Sequence, residues 1–164
     1  MSYVDTSVIV LALDRLDPRC SLAKAALKRA GDKVVSELVL VELSAVLARK
    51  GLTKLFAEKL GVNRRLIAST LILYLLRRFG LRVRAVDGLI RIPMLGDMSQ
   101  PMAEALNLSE RFRLRTLDLL HLAYVKLLKE MGERIDVLMT ADEELKKMAK
   151  EIEEELGVTV QFIG

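Results

Sequence analysis

The chain is nearly devoid of the residues that carry thiol and imidazole chemistry. Cys20 is its one cysteine and His121 its one histidine, and there is no tryptophan. A lone thiol cannot close an intrachain disulfide or supply the cysteine sets of a structural zinc site. With aromatic residues at only 4%, stacking on bases can be no more than a minor mode of nucleic-acid contact. No apolar run approaches the roughly 20 residues a membrane-spanning helix needs. The most apolar stretch, 66–76, is bracketed by Arg64-Arg65 and Arg77-Arg78 and reads as a buried or partner-facing helix. Asp5 interrupts the N-terminal apolar stretch, which argues against a signal peptide and for a cytoplasmic protein with no membrane partner. Linkers rich in Pro, Gly or Ser and internal repeats are also missing, so residues 1–164 are expected to form a single domain.

Half the chain is hydrophobic (52%), enough for a sizeable core rather than a disordered tail. The net charge of +4 mildly favours an anionic partner. That excess is concentrated in the middle, where Arg111, Arg113 and Arg115 precede a helical stretch. They either bind phosphates or solvate a loop. The C-terminal stretch is locally acidic.

Short apolar runs alternate with helical patterns. Strands are expected at 2–5, 33–36, 81–86, 135–139 and 158–163. Between them fall helices from residue 6 or 7 to about 13, from 17–18 to a stop at Gly31, from 37 to about 49, at 52–61 and 63–79, from 98 to about 107, at 117–131 and at 142–156. This is the pattern of an α/β fold whose mostly parallel sheet is covered on both faces. In such sheets ligands bind beyond the carboxyl ends of the strands.

Four acids stand in or beside apolar runs, where an unpaired carboxylate is costly. Asp5 ends the first strand, Glu42 lies within Leu38–Leu43, Asp118 follows Thr116-Leu117, and Asp142 follows the strand ending Thr140-Ala141. Each has a purely structural role open to it. Asp5, Asp118 and Asp142 can cap helices, and Glu42 can sit on a solvated helix face. Taken together they suit a shared site for hard cations, which take oxygen ligands. A bound Mg²⁺ or Mn²⁺ would relieve their repulsion and supply what phosphodiester hydrolysis requires without a His, Cys or Ser nucleophile. His121 is therefore expected to be a core or surface residue whose replacement by alanine leaves activity, and Glu37 a first-turn helix residue.

The segments Val4-Asp5-Thr6-Ser7-Val8, Ser36-Glu37-Leu38-Val39-Leu40-Val41-Glu42-Leu43, Leu114-Arg115-Thr116-Leu117-Asp118-Leu119-Leu120-His121-Leu122-Ala123 and Leu138-Met139-Thr140-Ala141-Asp142-Glu143-Glu144-Leu145 occur in an order that resembles the PIN-domain family, and most closely its VapC-type toxin ribonucleases. The resemblance covers essentially the whole chain. It implies a three-layer α/β/α sandwich with a central, mostly parallel sheet of four to five short strands. It implies a Mg²⁺- or Mn²⁺-dependent endoribonuclease acting on single-stranded RNA. Asp5, Glu42, Asp118 and Asp142 would be its metal-binding acids, Thr6 and Thr140 hydroxyls close to the metal, and a small VapB-like antitoxin its partner. A housekeeping RNA-processing nuclease and a catalytically silent RNA- or protein-binding module are the alternatives on the same fold. The region 81–100 departs from the resemblance in being longer and more hydrophobic. The apolar residues of 52–79 exceed what one face of a surface helix needs, and a homodimer through them is expected.

Overall fold

The computed structural model describes residues 1–164. Five parallel strands form the central sheet in the order β3-β2-β1-β6-β7: β1 (Ser2–Val4), β2 (Lys33–Ser36), β3 (Leu81–Arg84), β6 (Val137–Thr140) and β7 (Thr159–Phe162). The chain winds outward from β1 through β2 to β3, then returns to the other side of β1 for β6 and β7. The order reverses between β1 and β6, the place where open α/β sheets leave a crevice at their carboxyl edge.

Alternation along the strands makes the three layers. Successive side chains point to opposite faces. Tyr3, Val34 and Leu138 enter one core, against α6 (Gln100–Ser109), α7 (Thr116–Glu130), α8 (Glu143–Lys147) and α9 (Ala149–Leu156). Their neighbours Val4, Val35 and Met139 enter the other, against α1 (Thr6–Leu13), α2 (Cys20–Lys28), α3 (Glu37–Arg49) and α5 (Arg64–Phe79). With apolar residues on both faces the strands read as continuous hydrophobic runs, as buried parallel strands do. α4 (Leu52–Leu60) and α5 form a helical hairpin. Ala57, Ile67, Leu75 and Phe79 turn inward, while Leu60, Leu66, Leu73 and Tyr74 stay exposed.

The region after β3 differs from the expected pattern. The strand stops at Arg84, and a separate antiparallel hairpin follows, β4 (Leu89–Ile92) with β5 (Gly96–Ser99). Leu89-Ile90-Arg91-Ile92 shows little alternation, so periodicity alone did not reveal a strand. The turn signal lies in Gly96 (φ 90°), two residues after Met94, the only residue other than glycine with positive φ (66°). Met98 pairs with Ile90 instead of opening a helix. α6 starts at Gln100 with Pro101 in its first turn, where a missing N–H costs nothing. The expected helix 142–156 is two helices that meet at Met148. α2 begins at Cys20, because Asp17 is engaged with the backbone N–H and guanidinium of Arg19. No helix is long and apolar enough to cross a membrane.

Leu138→Ala, at a fully buried position on β6, is expected to cost about 2–5 kcal/mol in urea unfolding. Leu22→Ala, on the exposed side of α2, is expected to change stability by no more than about 0.5 kcal/mol.

Candidate active site

Asp5, Glu42, Asp118 and Asp142 reach one open cleft of about 600 Å³ at the carboxyl edge of the sheet. Each arrives by a different route. β1 delivers Asp5, whose backbone N–H donates to the Met139 carbonyl at 3.0 Å and so ties the end of β1 to β6. Asp5 is also the N-cap of α1, its Oδ1 accepting from the Ser7 N–H at 3.2 Å. Glu42 comes from the second turn of α3 and Asp118 from the first turn of α7. Asp142 caps α8 through the Glu144 N–H at 2.7 Å. Capping and cleft lining thus coincide at Asp5 and Asp142, because helix N-termini face the cleft there.

Hydroxyls fix the Asp5 carboxylate. Its Oδ2 accepts from Ser7 Oγ and from Thr140 Oγ1, each at 2.6 Å. Thr140 Oγ1 in turn accepts from the Asp142 N–H at 3.0 Å, and Ser7 Oγ accepts from the Ala141 N–H at 2.9 Å. Thr6 Oγ1 donates to Glu42 Oε2. Thr6 and Thr140 therefore touch the acids directly. The sequence marks Ser7 only as a possible start of the helix, and its place two residues after Asp5 brings it into the same turn.

His121 is buried, as a core histidine would be, but its ring lies among the acids. Nε2 is 3.0 Å from Glu42 Oε2 and 3.2 Å from Asp5 Oδ1. The one trace of this in the sequence is spacing, since His121 follows Asp118 by three residues and shares its helix face. Burial pulls the imidazole pKa down, but the charge of Asp5 and the hydrogen bond and charge of Glu42 outweigh it and hold the value above the ordinary one. For Glu42 burial acts to raise the pKa, and the hydrogen bond and charge of His121 with the Thr6 bond override it, leaving the carboxyl below its usual range. Asp118 has no such donor. Desolvation, then the charges of Asp142 and Asp5, push it up to about 6.

The arginines divide. Arg115 lines the cleft, whereas Arg111 pairs with Glu155 and Arg113 lies outside the cleft wall. Arg49 lines it too, two helical turns after Glu42 on the same face of α3, a position sequence reading passed over. Glu37, in the first turn of α3, accepts from the Tyr124 hydroxyl at 2.9 Å and does not reach the cleft.

The donor set fits a divalent cation. Carboxylate oxygens of Asp5 and Glu42 lie within 4.8 Å of each other, with a His121 ring nitrogen equally close to both, and the repulsion that adds to desolvation in raising Asp118 is of the kind a bound cation relieves.

A family model described as the PIN domain matches residues 2–151. The chain belongs to the PIN-domain family. Comparison with curated protein sequences finds no match. Among solved structures the fold is shared with VapBC2 from Rickettsia felis, bound to a fragment of promoter DNA, at TM-score 0.58, 12% identity and 100% coverage of both chains. It is shared with VapC20 from Mycobacterium tuberculosis, a toxin that cleaves the sarcin-ricin loop, at TM-score 0.54 and 16% identity over 90% of this chain and 94% of that one. A toxin-antitoxin complex from Klebsiella pneumoniae matches at TM-score 0.50 and 16% identity, over 91% of each chain. At these identities the likeness is one of fold, and the PIN assignment rests on the family match.

The raised pKa of Asp118 gives a test. Between the ordinary carboxyl value near 4 and about 6, the folded protein holds a proton that the unfolded chain releases. Asp118 therefore subtracts stability as pH rises through that window, and the penalty is complete above it. Asp118→Asn is expected to stabilise the metal-free protein at pH 7 by about 1–2 kcal/mol. The full shift corresponds to roughly 3 kcal/mol, and the half-exposed position reduces it. Urea unfolding in chelator should show the gain shrinking as pH falls from about 6 to about 4.

Proposed function

We propose that the chain is a divalent-metal-dependent endoribonuclease that hydrolyses phosphodiester bonds of single-stranded RNA, and that it is the toxin of a VapBC-type pair. The observation that carries this reading is the gathering of Asp5, Glu42, Asp118 and Asp142 in one cleft of a PIN domain, with Arg49 and Arg115 at its wall. The fold it shares with VapC20 and VapBC2 supports the toxin assignment.

Asp5, Glu42, Asp118 and Asp142 would hold Mg²⁺ or Mn²⁺. When bound, such an ion lowers the pKa of water and stabilises charge on phosphoryl oxygens. The residues of the chain do the rest. Ser7 and Thr140 donate to Asp5 and hold its carboxylate in one rotamer, and Thr6 does the same for Glu42. Arg49 and Arg115 offer guanidinium groups to the phosphates on either side of the scissile bond, positioning the strand without reading its sequence. Low aromatic content leaves base recognition to shape and hydrogen bonding.

The exposed apolar face of α4 and α5, with Leu60, Leu66, Leu73 and Tyr74, supports a homodimer through these helices. Arg64, Arg65, Arg77 and Arg78 would border that interface and extend an RNA-facing surface. A small VapB-like antitoxin is the proposed partner in a cytoplasmic complex.

Purified protein incubated with single-stranded RNA should cleave it only with Mg²⁺ or Mn²⁺ present. Asp5→Asn should lower the rate by about 100-fold or more while preserving the fold, since asparagine can still cap α1. Cleavage that persists in chelator, or at full rate in Asp5→Asn, contradicts the reading. Sedimentation at micromolar concentration should give twice the 18.4 kDa chain mass, and a clean monomer would remove the dimer.

A further inference from the structure

We infer that Ser36, Tyr3 and His121 form a buried hydrogen-bonded relay that positions Asp5 and Glu42 for a cation. The inference rests on the metal-site reading above. The three side chains come from β2, β1 and α7 and are almost wholly removed from solvent, at 0%, 0% and 2% exposure. Ser36 Oγ lies 2.7 Å from the Tyr3 hydroxyl, which lies 2.9 Å from His121 Nδ1. The phenol meets the imidazole edge-on, at 5.9 Å between ring centres. At the far side of the ring, Nε2 faces Glu42 Oε2 and Asp5 Oδ1 at 3.0 and 3.2 Å.

The chemistry of these partners fixes the roles. Ionised carboxylates only accept, so Nε2 must carry the hydrogen and is shared between the two acids. Nδ1 faces a hydroxyl, and a hydroxyl can donate or accept. Tyr3 therefore holds the ring in the same orientation whether Nδ1 offers a lone pair or a hydrogen, with Ser36 supplying the complementary role. Asp5 leaves the end of β1, and Glu42 sits on α3. The one side chain that touches both carboxylates is His121. Without it, two like charges in a partly desolvated cleft would be free to splay apart.

The placement also follows from the strand. Tyr3 lies on β1, and Asp5, one residue past its end, keeps the extended backbone (φ −71°, ψ 149°), so the two point to the same face. The strand that presents the first acid thereby carries the residue that orients the histidine beneath it. Asp118 lies one turn before His121 on α7, so the same bond sets how α7 is rotated about its axis and where Asp118 enters the cleft. Outer hydrogen bonds of this kind typically change metal affinity by about 10–100-fold. His121 is thus a positioning residue.

Mn²⁺ binding to the metal-free protein at pH 7, followed by calorimetry or by electron paramagnetic resonance, gives the test. Tyr3→Phe keeps the buried ring and removes only the hydroxyl. It should weaken Mn²⁺ binding about tenfold. His121→Gln, which can return an amide N–H to the carboxylates, should bind Mn²⁺ better than His121→Leu. Val125→Ala, a cavity in the same helix away from the cleft, should lower thermal stability and leave Mn²⁺ affinity within about twofold of wild type. Because His121 is the only histidine, its imidazole nitrogens can be read without ambiguity by ¹⁵N NMR. The metal-free protein should show a hydrogen on Nε2. Unchanged Mn²⁺ affinity in Tyr3→Phe, equal losses in the two His121 variants, or a bare Nε2 overturns the relay while leaving the metal site intact. Failure of the wild type to bind Mn²⁺ overturns the metal reading and the relay together.

Discussion

Carboxylates held together at one sheet edge repel one another, and most of the polar structure around them answers that repulsion. Asp5 and Glu42 are tolerated because hydroxyls and an imidazole donate to them. Asp118 receives no comparable support, and burial, then the charges of Asp142 and Asp5, raise its pKa to about 6. The metal-free protein therefore keeps an unfavourable charge arrangement at neutral pH. A cleft of this kind lowers the stability of the fold, a cost that a bound cation would offset.

The fold makes that arrangement possible at low cost to the core. Period-two alternation on β1, β2 and β6 commits the strand interiors to two apolar layers and leaves only their carboxyl ends to the cleft. The reversal of strand order between β1 and β6 separates the helices that follow these strands, so a cleft opens above them without a cavity in the core. Asp5 and Asp142 use the N-termini of α1 and α8, where the partial positive charge of the helix favours an acid. Capping, cleft formation and the proposed metal ligation thus draw on the same few residues.

Much of this was legible in the residues. Acids inside apolar runs pointed to the cleft, and the alternation of short strands with helices gave the parallel sheet. The parts that escaped have physical reasons. The β4–β5 hairpin depends on a turn with Met94 at positive φ, a conformation its side chain does not advertise. The role of Ser7 follows from a tight turn, and Arg49 enters because α3 continues straight for two turns past Glu42. His121 was the instructive case. Its spacing from Asp118 placed it on the right face, but only the packing of α7 against β1 brings its ring between Asp5 and Glu42.

If the acids form a cation site, a divalent ion must bind the folded chain and not the unfolded one. Unfolding at pH 7, followed by circular dichroism across a titration of Mg²⁺ and then Mn²⁺, measures this without any assumption about substrate. The account predicts that the unfolding free energy rises with metal concentration, by about 2.7 kcal/mol when the ion reaches 100 times its dissociation constant. It also predicts that most of the rise is lost in Asp5→Asn. An unfolding transition that stays fixed as either ion is added would contradict it.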